Sequence, residues 1–248
     1  MHGPLLWHLK VSPYNEKARW ALDYKRVPHV RRAVTPIGHA VVSRRVGGRG
    51  TMPVLAIDGR AIGDSSEIIA ELERRAPVPR LYPADPAERA RALELEDLFD
   101  EQLGPYMRRL VLHHALRDSD LLLGAFTPDL RRPVRAVVQA TFPLSRRKLR
   151  HDFRIDDRTV DEAFGKLASA GERMAAEVGP GGYLVGDSFS VADLALASLC
   201  APAVAPPQFP YPQPQRGHRL FAPLREALDR AGLLEFTLRM YELHRVPS

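Results

Sequence analysis

TMPVLAIDGRAIGDSSEIIAEL, Thr51 to Leu72, decides the fold. Val54, Leu55 and Ile57 form a short apolar run, Asp58-Gly59 is a dipeptide that closes two-residue hairpins, and Ala61-Ile62 opens the return strand. The period then changes. Asp64 stands three residues before Glu67, the spacing of a capping box, and Ile68, Ile69 and Leu72 give an apolar stripe at helical spacing. The stretch predicts strand, turn, strand and helix start. Pro53 cannot donate to a ladder, so it belongs at a strand edge or in a cis turn. On these residues alone, Asp64 and Ser65 need only cap the helix.

Upstream, Leu5-Leu6-Trp7-His8-Leu9 predicts a buried first strand. Ser12-Pro13 suits the N-cap and first position of a helix that continues through Lys17 to Leu22. His29 to Val34 predicts a second strand, and a short helix is expected from about Ile37 to Val46. Gly47-Gly48-Arg49-Gly50 then makes a flexible approach to Pro53.

Downstream, the third helix ends near Arg75-Ala76, and prolines at 77, 79, 83 and 86 punctuate an extended spacer. Asp85-Pro86-Ala87-Glu88 opens a long helix with Leu95, Leu98, Phe99 and Leu103 on its apolar face. Gly104-Pro105 should kink it before it resumes to about Leu116. Helical segments are expected at Leu121 to Leu123 and Val134 to Leu149, with breaks at Thr127-Pro128 and Phe142-Pro143. Another runs from about Thr159 to Val178. Ser190 and Asp193 form a capping box, with Phe189 against Leu194 as a staple, before the core run Leu194 to Cys200. A proline-rich loop from Pro202 to Pro214 precedes two closing helices near Leu220–Arg230 and Leu233–His244.

At 248 residues, 45% hydrophobic and 27% charged, the chain has the composition of a soluble globular protein with one or two domains. No signal peptide or membrane span is read, so the cytoplasm is the expected location. A single cysteine, Cys200, excludes a disulfide framework and a cysteine-based zinc cluster, and no metal is expected. The net charge of +6 raises a nucleic-acid partner. Only five of the 36 basic residues are lysine, and the arginine clusters alternate with acidic helices rather than stacking aromatics. A nucleic-acid partner is therefore not expected.

Met52-Pro53-Val54-Leu55, the hairpin, and an acidic residue with serine opening a helix resemble the thiol-peptide site of the glutathione S-transferase family. Ser12-Pro13-Tyr14-Asn15-Glu16-Lys17-Ala18-Arg19 resembles the first strand-to-helix turn of its serine- and cysteine-type members, with the serine seven residues before a helix arginine. The Ser190 motif resembles the one that opens the central helix of the family's second domain. The resemblance, that of a serine-type bacterial member similar to the tau, omega and zeta classes, covers nearly the whole chain. It implies a thioredoxin-like βαβαββα domain at 1–80, a linker at 81–85 and an all-helical domain at 86–248.

By the same resemblance Pro53 is cis, Met52 offers backbone groups to the cysteinyl part of glutathione, and Asp64 and Ser65 bind the γ-glutamyl end. A basic residue holds the glycine carboxylate; Arg44, Arg45 and Arg49 are candidates by type, and Arg49 is taken as the site residue. Ser12 stabilises the thiolate, with Tyr14 as runner-up donor, while His8 stands where tyrosine-type members carry their hydroxyl. Tyr106, Met107, Leu110 and His113 are implied walls of the acceptor site, and a homodimer is implied. A free thiol titrates near 8.5, so a hydroxyl donated to sulfur beside a helix N-terminus favours the nucleophilic anion. A hydroxyl at position 12 cannot form a mixed disulfide, which points to addition of glutathione, or a similar small thiol, to a small electrophile. The alternative is a non-catalytic binding or assembly module on the same fold.

Overall fold

The computed structural model describes residues 3–36, 38–126, 132–211 and 215–245. The expected helix start at Ile37, the break at Thr127-Pro128 and the end of the loop at Pro214 lie outside the described residues.

Four strands, β1 (Leu5–His8), β2 (Val30–Ala33), β3 (Val54–Ile57) and β4 (Arg60–Ile62), form a sheet in the order β2-β1-β3-β4. β1 runs parallel to β2 and antiparallel to β3, with Leu6 opposite Leu55. Asp58 and Gly59 both take positive φ, 48° and 74°, the twist that a two-residue hairpin requires. Three helices complete this layer: α1 (Pro13–Tyr24), α2 (His39–Arg45) and α3 (Ser65–Arg75). The result is the thioredoxin-like βαβαββα order followed, among the described residues, by helices alone.

α3 starts at Asp64, whose carboxylate accepts from the N–H groups of Ser66 and Glu67 at 2.8 and 3.2 Å. Glu67 turns outward to within 3.6 Å of Arg49, so Asp64 caps on its own account. The spacer after α3 is pinned rather than free. Leu81 and Tyr82 are buried, Leu81 N–H donates to Glu73 and Leu81 carbonyl accepts from Val191 N–H.

In the helical part, α4 (Pro86–Gln102) and α5 (Gly104–Ala115) are separate helices meeting at Leu103 rather than one kinked helix. A Cβ on Gly104 would lie 2.0 Å from the Tyr14 hydroxyl, so α1 and the α4–α5 junction touch only because glycine stands there. After α6 (Ser119–Phe126), α7 (Arg132–Asp152) passes through Pro143 without ending, against the break expected at Phe142-Pro143. Phe142 and Leu149 pack against the core on either side, and this packing outweighs the hydrogen bond that proline removes.

α8 (Asp157–Glu177) precedes α9 (Val191–Val204), which is buried along its entire length. Asp193 accepts from Ser190 N–H at 2.9 Å and from Leu184 N–H at 2.8 Å, fixing the start of α9. Pro202 belongs to α9, near its C-terminus, and the loop begins only at Ala205. Then come α10 (Gln215–Leu220), α11 (Ala222–Arg230) and α12 (Leu233–His244).

α1 lies between the sheet layer and the helical part. Its Trp20 ring stacks on Phe189 at 5.4 Å and tilts against Tyr241 of α12 at 4.3 Å. Below that aromatic contact, Glu16 binds Arg19 at 2.8 Å and Arg245 at 2.9 Å, all three buried. Among the described residues no helix is long and apolar enough to cross a membrane, and none forms a group of three or more potential metal ligands.

Candidate active site

The turn between β1 and α1 is built by Arg19. Its guanidinium donates to the carbonyls of Leu9 and Lys10 at 3.0 Å each and to His8 Nδ1 at 2.8 Å, while Glu16 neutralises it. An arginine has only donors, so His8 accepts at Nδ1 and carries its proton on Nε2, 3.3 Å from the Tyr211 hydroxyl. Burial, with Arg19 beside it, brings the His8 imidazole down to about 3. His8 is therefore a neutral packed residue, and the place of the tyrosine-type hydroxyl holds no donor of that kind.

That shift has a consequence for stability. Between pH 6.5 and about 3 the unfolded chain takes up a proton that folded His8 refuses, so stability falls as pH falls. Wild type is expected to lose about 2–3 kcal/mol more than His8→Asn between pH 7 and pH 4.5, because Asn keeps an acceptor for Arg19 but does not titrate. Urea unfolding at the two pH values measures this. Equal losses in both proteins would remove His8 as the acid-sensitive group.

Ser12 sits at the N-cap of α1 with extended backbone, yet its side chain makes no cap hydrogen bond to the helix backbone. Its Oγ instead accepts from the Asn15 amide at 2.7 Å. The same amide nitrogen donates to the Met52 carbonyl at 3.1 Å, and the Met52–Pro53 peptide is cis. Ser12 and Met52, distant in sequence, thus share one buried side chain. Ser43 steadies the approach to this bend, donating to Thr51 carbonyl at 2.8 Å and accepting from Gly50 N–H at 3.0 Å.

The start of α3 is tied to the same helix. Lys17, fully buried on α1, donates to Ser66 Oγ at 2.9 Å and pairs with Glu96 at 2.6 Å and with Asp100, both on α4. Burial alone would lower Lys17, but Asp100 and Glu96 override it and hold the amine above its usual range. Burial pushes both carboxyls upward while Lys17 pulls against it. Ser65 is buried beside this cluster in sequence, and Asp64 is exposed at the helix end.

The remaining candidates separate. Tyr14 donates its hydroxyl to Asp100 carbonyl at 2.8 Å, and burial pushes its phenol up to about 12. It fastens α1 to α4, so its hydroxyl is committed and the runner-up donor role does not fit. Arg49 is 82% exposed and stands at the rim of α3. Met107 and Leu110 are completely buried on the face of α5 that turns into the helical core, so they cannot line an open acceptor wall. Tyr106 donates to Glu162 at 3.2 Å, and His113 meets Arg117 at 2.7 Å; both lie on the outer side of α5. Asn15, Lys17 and Asp100 were not among the sequence candidates. The one available signal for Asn15 was its place three residues after Ser12, a spacing shared with countless polar first-turn residues.

Residues 6–80 match the family model described as "Glutathione S-transferase, N-terminal domain". The chain is similar to the probable maleylacetoacetate isomerase 1 of Drosophila melanogaster, 32% identical over 124 residues, 48% of this chain and 50% of that protein. It is also similar to the FtsZ-localized protein A of Caulobacter vibrioides, 30% identical over 129 residues, 50% of this chain and 56% of that one. The chain spans about half the length of the curated relatives it matches. Among solved structures, a glutathione S-transferase of Methylobacterium radiotolerans in complex with glutathione sulfonate superposes with a TM-score of 0.59 and 21% identity, over 97% of this chain and 91% of that chain. Residues 6–80 thus carry a glutathione S-transferase N-terminal domain, within a fold that this chain shares over 97% of its length with a glutathione S-transferase structure.

Proposed function

We propose that the protein is a glutathione-dependent enzyme in which Ser12 stabilises the thiolate of glutathione, or of a similar small thiol, for addition to a small electrophile. The observation that carries this reading is the shared Asn15 amide, which holds the Ser12 hydroxyl and the Met52 carbonyl at one point beside the N-terminus of α1. The cysteinyl part of the peptide lies as an added strand along Met52, and its sulfur receives the Ser12 hydrogen bond. The thiol proton passes to solvent, the sulfur–carbon bond forms, and the displaced electron pair leaves with a leaving group or ends on the acceptor.

Asp64 and Ser65 would hold the γ-glutamyl end, where the positive end of the α3 dipole favours a carboxylate. Arg49 would reach the glycine carboxylate. In this reading residues 1–80 carry the thiol, 81–85 join the two parts, and 86–248 carry the acceptor, with Tyr106 and His113 as its remaining wall candidates. Thiolate addition followed by elimination at a double bond gives isomerisation, and addition alone gives conjugation. The similarity to proteins named as isomerases makes both reaction types worth assaying. A cytoplasmic homodimer is the proposed setting.

Glutathione at about a hundred times its Kd is expected to add roughly 2.7 kcal/mol to the stability of the folded chain, about 5–10 °C in melting temperature. A thermal-shift titration with glutathione and other small thiols measures this. No shift with any thiol would favour the binding or assembly module, a reading to which the relative named for localisation with FtsZ gives its one support.

A further inference from the structure

Asn15 is completely buried on the first turn of α1 and touches three parts of the site. Its Oδ1 accepts from Leu9 N–H at 2.9 Å, and its Nδ2 donates to Ser12 Oγ at 2.7 Å and to Met52 carbonyl at 3.1 Å. The backbone fixes the direction of this amide. An N–H can only donate and a carbonyl can only accept, so a flipped amide would set donor against donor at Leu9 and acceptor against acceptor at Met52. A hydrogen therefore reaches Ser12 Oγ from Asn15. One lone pair of the serine is occupied, and its own proton must be given in another direction.

The N-cap geometry removes the competing use of that hydroxyl. A serine at this position ordinarily accepts from the backbone of the first turn, and Ser12 makes no such bond. Two backbone groups of separate elements, Leu9 after β1 and Met52 before β3, determine the angle at which the amide meets the serine.

We propose that Asn15 is a positioning residue that aims the Ser12 hydroxyl proton at the substrate sulfur while holding the Met52 carbonyl against which the thiol peptide lies. This inference rests on the reading of Ser12 as the thiolate's donor. It predicts that Asn15 acts on the thiol through Ser12 and has little effect without it.

The test is a thermodynamic cycle on the full chain, with glutathione as the probe and the ultraviolet absorbance of its bound thiolate titrated against pH. Asn15→Asp keeps the size of the side chain and an acceptor for Leu9 N–H, but it has no hydrogen for Ser12 and takes the serine's instead. Wild type, Ser12→Ala, Asn15→Asp and the double variant are compared. Asn15→Asp is expected to raise the thiol pKa by at least about one unit, a tenfold loss of thiolate near neutral pH. In the Ser12→Ala background only a smaller shift is expected, the part due to the added charge. Equal shifts in both backgrounds would overturn the role of Asn15 and leave Ser12 standing. No shift in Ser12→Ala itself would overturn the reading of Ser12, and the inference with it. If Asn15→Asp does not fold, Asn15→Ala removes the same donor without a charge and is read in the same cycle.

Discussion

Replacing Lys17 by methionine is expected to lower stability by about 3–5 kcal/mol, which at this chain length is a fall in melting temperature of about 6–20 °C. The amine is completely buried between Glu96 and Asp100. Removing it leaves two carboxylates facing each other without a cation, and that desolvated charge is the cost. Methionine fills most of the volume, so the loss reports charge rather than a cavity. The triple variant Lys17→Met, Glu96→Gln, Asp100→Asn should recover most of the stability, because no charge then remains buried. Denaturant unfolding of the single and triple variants settles it. A single-variant loss below about 1 kcal/mol would mean that water already screens the cluster.

Ser12→Ala is expected to reduce kcat/KM for thiol addition by about ten- to a hundredfold below neutral pH, with the Kd for glutathione changed less than threefold. A hydrogen bond to a charged group contributes about 1.5–3 kcal/mol, and only the sulfur gains it. In the proposed binding mode the remaining glutathione contacts belong to the strand at Met52 and the start of α3. The pH–rate profile should move upward by one to two units, since the serine acts by stabilising the anion. Unchanged activity with unchanged profile would move the donor role elsewhere, and Tyr14 is a poor successor because its hydroxyl is given to Asp100.

Local signals in the sequence carried most of the fold. The Asp58-Gly59 turn and the Ser190/Asp193 box depend on neighbours a few residues away and form as their spacing implies, while Asp64 and Asp85 cap their helices without the reciprocal bond of a box. Prolines were harder to read. Pro143 and Pro202 look like helix stops, but both lie within helices whose side chains are held by packing from distant elements. That packing has no local trace.

The site divides in the same way. The cis bend at Met52–Pro53 and the approach of Ser12 to it follow from a motif order that can be read along the chain. Asn15 and Lys17 cannot be read so. Each is one polar residue in a helix rich in them, and what distinguishes them is burial against partners 37 and 83 positions away. Met107 and Leu110 show the opposite error, since apolar residues on α5 suit either an acceptor wall or a core, and helical phase puts them in the core.

Arg245, just past α12, reaches Glu16, which in turn grips Arg19, the residue that shapes the turn carrying Ser12. The corner of the first eighty residues that carries Ser12 is therefore clamped by Arg245. A fragment cut at the spacer would bare Trp20 and leave Glu16 with Arg19 alone of the two guanidinium groups that now hold it. A substitution at Arg245 therefore reaches the turn that carries Ser12 through Glu16 and Arg19, from more than two hundred positions away along the chain.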